Sequence, residues 1–96
     1  MQHRIIDCHT HVCTTEDFER LVEAGRRISL DAVTVLPFPW TRLDNGLPFA
    51  LWAKRQRPDF VYAFGGWDHV AEEVLSGDPD ALGKQVVEQA ALGIDG

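Results

Sequence analysis

No stretch of this chain comes near the roughly 18 unbroken apolar residues that a membrane-spanning helix needs. Its opening, Met1-Gln2-His3-Arg4, is followed by only two apolar residues before Asp7, too few for the apolar region of a secretory signal. A cytoplasmic setting is therefore expected. Basic charge is scarce as well. Nine Lys and Arg stand against fifteen Asp and Glu, a formal net charge of −6. The basic residues are scattered apart from Arg26-Arg27 and Lys54-Arg55, so neither a nucleic-acid backbone nor an anionic membrane meets the basic patch it requires. Cysteine is limited to Cys8 and Cys13, close together on one extended segment. A disulfide there would close a tiny loop, and reduced thiols are the expectation. With 45% hydrophobic and 25% charged residues and no low-complexity tract, the composition is that of one small globular unit.

What the chain does have is a regular alternation. Residues 4–9 read as a short strand. Thr14 and Thr15 offer helix N-caps, with Glu16 and Asp17 in the first turn, and Phe18, Leu21, Val22 and Ile28 follow at helical spacing. Residues 31–36, "DAVTVL", read as a buried strand stopped by Pro37 and Pro39. After a loop, "PFPWTRLDNG", the stretch 47–57 reads as a helix with Leu47, Leu51 and Trp52 on one side. Residues 60–64, "FVYAF", make a third strand, broken by Gly65-Gly66. A helical turn near 70–75 precedes a last helix, with Asp78 as N-cap, Pro79 at its first position, Leu82, Val86 and Ala90 along its buried side, and Gly93 as its stop. Strand-helix repetition of this kind implies parallel strands joined by right-handed crossovers. Three such units do not close a barrel, which takes on the order of 250 residues. The chain is thus expected to be the front part of a longer barrel, ending before its fourth strand. A small open α/β domain is the alternative.

The chemistry concentrates in "IIDCHTHV", residues 5–12. Side chains on a strand alternate, so Asp7, His9 and His11 are expected on one face and Ile6, Cys8 and Thr10 on the other. The carboxyl end of a parallel strand is where such folds collect their active groups. Two imidazoles at i and i+2 can reach one cation from the same side. Asp7 could then orient a ring by accepting its other N–H. Cys8 is expected to fill core space. A zinc knuckle built from Cys8, His9, His11 and Cys13 competes weakly, because such frames draw on two separate segments.

"IIDCHTHV" resembles the first-strand signature D-x-H-x-H of the amidohydrolase superfamily, mostly metal-dependent hydrolases on a TIM barrel. "LDAVTVLPFP", "RPDFVYAFGGWDH" and "VVEQAALGIDG" are similar to the second-, third- and fourth-strand neighbourhoods of its amidohydrolase-related branch, the amidohydrolase 2 family. The likeness is specific in its first eight residues and loose elsewhere. PHP phosphoesterases and TatD-type nucleases also open with a strand and an H-x-H. The resemblance implies a divalent metal, zinc by preference, held by His9 and His11. It implies a small polar carboxylate, amide or lactone as substrate. That family's other ligands come from later strands without a counterpart in these 96 residues.

Trp40, Trp67 and His69, all in loops that follow a strand, are the further candidates for the substrate pocket. Trp67 could equally pack against a helix. An incomplete fragment with unpaired sheet edges should self-associate. A catalytically incomplete piece or a small metal-binding module is the competing functional reading.

Overall fold

The structure, a computed structural model, describes residues 4–37, 43–68 and 70–96. The strands are β1 (Ile6–His11), whose sequence is mostly polar, and the two short runs β2 (Ala32–Leu36) and β3 (Val61–Ala63). Between and after them lie the helices α1 (Thr15–Arg27), α2 (Leu43–Gln56), α3 (Glu72–Leu75) and α4 (Ala81–Leu92). The sheet order is β1-β2-β3, and both pairings are parallel. This is the α/β arrangement that the alternation predicts. Beyond α4 the chain returns to the sheet. The Asp95 N–H donates to the Ala63 carbonyl at 2.7 Å and the Gly65 N–H to the Gly96 carbonyl at 2.8 Å, so residues 95–96 run beside β3.

The two faces of the sheet differ. Val33 and Val35 on β2 share a face with their partners Val61 and Ala63 on β3. All four are buried in one cluster with Val12, Phe18 of α1, and Ala50 and Ala53 of α2. Both helices therefore cover the same face. Each fully buried valine there contributes about 1.5–3 kcal/mol through apolar burial. The small residues Ala50 and Ala53 let α2 approach the strands closely. The opposite face carries Ile6, 43% exposed, and Tyr62, 46% exposed. The radius of gyration, 14.9 Å, exceeds the about 12.5 Å of a compact domain of this length. A slab covered on one side has that proportion.

Local chemistry explains the start of α1 and the end of α4. The Thr14 hydroxyl accepts the Asp17 N–H at 3.0 Å and caps α1. Gly25 sits inside that helix, where a Cβ would lie 3.2 Å from the Phe60 ring, so its lack of a side chain permits the approach. Gly93 takes φ = 98° and closes α4 in the left-handed region that glycine tolerates. Two boundaries differ from expectation. α2 begins at Leu43, inside the stretch read as loop, because the burial of Leu47, Ala50 and Ala53 farther along the helix overrides the turn signal of Gly46. α4 begins at Ala81 rather than Pro79; Asp78 instead accepts the Asp80 N–H at 2.9 Å in a turn before the helix. No helix among the described residues is long and apolar enough to cross a membrane.

Candidate functional site

β1 is not a regular strand. Asp7 pairs with Val33 and Thr10 with Val35, so three steps along β1 match two along β2. One extra residue is held between Asp7 and Thr10, a β-bulge. Paired residues in a parallel sheet point to the same side, so Asp7 and Thr10 both belong to the helix-covered face with Val33 and Val35. Their contact agrees: the Thr10 hydroxyl donates to Asp7 Oδ2 at 2.8 Å. Asp7 Oδ1 accepts the main-chain N–H of His9 at 2.9 Å. These two bonds, the His9 amide first, hold the Asp7 carboxyl below its ordinary range, with slight burial opposing them and the His9 charge assisting. The expected common face for Asp7 and the histidines is thus corrected: the inserted residue breaks the alternation. Asp7 spends its oxygens on the main chain of His9 and on Thr10.

Past the bulge, His11 pairs with Leu36 at the carboxyl ends of both strands and lies on the open face. Its Nδ1 is 3.0 Å from the Leu36 carbonyl. A carbonyl only accepts, so Nδ1 carries the hydrogen in this contact, and in the neutral ring Nε2 is then the accepting nitrogen that faces His9. His9 Nε2 stands 3.1 Å from His11 Nε2, with the rings at 83° and their centroids 4.9 Å apart. Two nitrogens at zinc-ligand distance are separated by about 3.3 Å at a tetrahedral angle and about 2.9 Å at a right angle. The observed separation lies between these limits. The pair therefore fits two positions on one cation, with the outer Leu36 carbonyl setting the tautomer of one ring. Among the described residues no group of three or more His, Cys, Asp and Glu is placed to hold a metal ion. The four-ligand knuckle of Cys8, His9, His11 and Cys13 is accordingly not assembled. Both cysteines are free and exposed, and Cys8, expected in the core, lies outside it on the bulged stretch.

The other pocket candidates fare differently. Trp67 follows β3, at the same sheet end as His11, and is 47% exposed. It lines a small hollow of about 220 Å³ with Val86, Gln89 and Ile94. Trp40 and His69 lie outside the described residues. Residues that sequence reasoning passed over hold this loop in place. Gln89 accepts the Gly66 N–H at 3.0 Å and donates to its carbonyl at 2.7 Å. Gln85 does the same for Asp68, at 2.8 and 3.1 Å. The buried line of α4 is therefore Ala81, Gln85 and Gln89, while Leu82, Val86 and Ala90, expected inside, are exposed. The signal was present as two glutamines one turn apart, but amide side chains do not register in an apolar periodicity. A larger hollow, about 630 Å³, separates α2 from α4 and contains none of the candidate residues.

No protein-family model matches the chain, and no curated protein does. Among solved structures, it is similar to one described as a probable 2-pyrone-4,6-dicarboxylic acid hydrolase from Acinetobacter baumannii with citric acid bound. The TM-score is 0.65 and the identity 17% over 98% of this chain. This chain spans 36% of the length of that protein. The likeness is one of fold.

Proposed function

We propose that this chain supplies the first three strands of a (β/α)8 barrel and contributes His9 and His11 to the metal site of an amidohydrolase-type hydrolase. The observation that carries this reading is the approach of the two Nε2 atoms to 3.1 Å on the open face, at the carboxyl end of β1. Helices on one sheet face and strands in sequential order suit a singly wound barrel, whose interior would be the open face. The hydrolase to which the fold is similar supports the same class, and its dicarboxylic acid substrate favours a small carboxylate-bearing lactone or amide for this protein.

In this reading each residue has a defined task. The Leu36 carbonyl fixes the His11 ring and leaves Nε2 free of hydrogen. His9 brings its own Nε2 to the same point. A divalent cation held there, zinc by its affinity for imidazole, would supply water activation or carbonyl polarisation. Further ligands and the proton acceptor would come from other parts of the barrel.

The test is a zinc titration combined with an ester and amide hydrolysis screen. Loss of zinc binding in both His9→Ala and His11→Ala, with loss of hydrolysis of a carboxylate-bearing lactone or amide, is expected. Hydrolysis that survives both substitutions and a chelator would overturn the reading.

A further inference from the structure

The bulge in β1 decides which side of the sheet the histidines occupy. A strand has a side-chain period of two, so a one-residue slip moves a side chain to the other face. In an unbulged pairing that keeps Asp7 opposite Val33, His9 would stand opposite Val35 and His11 opposite Pro37. Both rings would then point at the face occupied by Phe18, Ala50 and Ala53. The inserted residue instead puts Thr10 opposite Val35 and His11 opposite Leu36. Val12 confirms the new phase, because it returns to the covered core two residues after Thr10.

We propose that Asp7 and Thr10 are positioning residues that hold this inserted residue and so deliver His9 and His11 to the open face. The proposal rests on the metal-site reading for its functional consequence, though not for its geometry. Asp7 is suited to the task because one carboxylate spans the insertion. Oδ1 takes the amide of His9, inside the bulge, and Oδ2 takes the hydroxyl of Thr10, where the ladder resumes. An aspartate accepting the N–H two residues ahead offers the chain a turn in competition with the regular strand. The β-branched Thr10 then re-enters the covered face beside Val35. Asp7 therefore acts through the backbone of the histidine segment, not through a ring.

The experiment compares the wild type with Asp7→Ala, Asp7→Asn and Thr10→Val. Amide hydrogen exchange and cross-strand nuclear Overhauser contacts report the register without any metal, and zinc titration reports the consequence. In Asp7→Ala the His9 amide should exchange at least about tenfold faster than in the wild type, with a smaller change at the Val33 and Val35 amides, and the Thr10-Val35 contact should weaken. Zinc affinity should fall by about 10- to 100-fold, the usual effect of removing a group that orients ligands. Asp7→Asn keeps an oxygen for the His9 amide and should recover most of both signals. Thr10→Val preserves shape, removes the donor, and decides the matter if Asp7→Ala fails to fold. An unchanged Thr10-Val35 register and unchanged His9 exchange in Asp7→Ala and Thr10→Val would overturn the proposal. Uniform acceleration of all amides would do so too. Should the wild type bind no zinc, the metal-site reading falls, while the register measurements still decide this proposal.

Discussion

Gln89 takes both main-chain polar groups of Gly66, its amide oxygen accepting the N–H and its NH₂ donating to the carbonyl. Gln85 repeats the arrangement with Asp68. The match is geometric. Four residues of helix rise about 6.0 Å, and two residues of extended chain span about 6.6 Å. One face of α4 thus reads alternate residues of the loop as a neighbouring strand would. Gly65 is part of the fit, since a Cβ at that position would collide with the Gln89 side-chain oxygen.

Substitution of Gln89 by alanine should therefore cost more than its polarity suggests. Two main-chain groups of a half-buried loop would lose their partners, at about 1–3 kcal/mol in total. Thermal melting of Gln89→Ala and of Gly65→Ala, against Val87→Ala as an exposed control on the same helix, checks this. Both should melt lower than the control. Equal melting of all three would show that the clamp is unimportant.

The Lys54 ammonium lies 2.6 Å from Asp95 and ties the returning end of the chain to α2. Burial acts to raise the Asp95 carboxyl, but Lys54 and the Ala63 amide outweigh it and leave the group lowered. A carboxyl depressed on folding contributes stability that is present above its unfolded value. That contribution is lost as the pH falls through the folded one. The tie should thus persist from neutral pH down to about 4, the ordinary aspartate value, and loosen only below it. A carboxyl-shift titration by nuclear magnetic resonance measures this, and Lys54→Met should move the Asp95 midpoint upward.

The strand at the edge of the sheet begins with exposed Ile6, preceded by exposed Ile5, and the open face shows Tyr62. Among the described strands β1 has a neighbour on one side only. An apolar edge of this kind pairs with another chain unless it is charged or covered. Sedimentation should reveal concentration-dependent self-association, reduced by Ile6→Lys. A monomer at all concentrations, unaffected by that change, would refute it.

The strands β2 and β3 were legible because apolar runs bounded by proline and glycine leave few alternatives, and Thr14 and Gly93 marked helix ends by their own side-chain or backbone chemistry. The histidine pair was legible from its spacing. The bulge was not, since counting alternate residues presumes a strand without insertions, and the Asp7-Thr10 contact that holds the extra residue exists only after the chain bends. The face of α4 was misjudged for a related reason. An apolar pattern pointed to Leu82, Val86 and Ala90, whereas the hydrogen-bonding needs of Gly66 and Asp68 turned Gln85 and Gln89 inward. Leu43 as a helix start was hidden by Gly46, whose local preference yields to the packing of Leu47, Ala50 and Ala53.

X-ray absorption at the zinc edge of the zinc-loaded protein tests the paired-imidazole site most directly. Two imidazole nitrogens at about 2.0–2.1 Å are expected in the first shell, a signal that His9→Ala and His11→Ala should each abolish. A first shell containing sulfur at about 2.3 Å, from Cys8 or Cys13, or one without imidazole, would contradict the account.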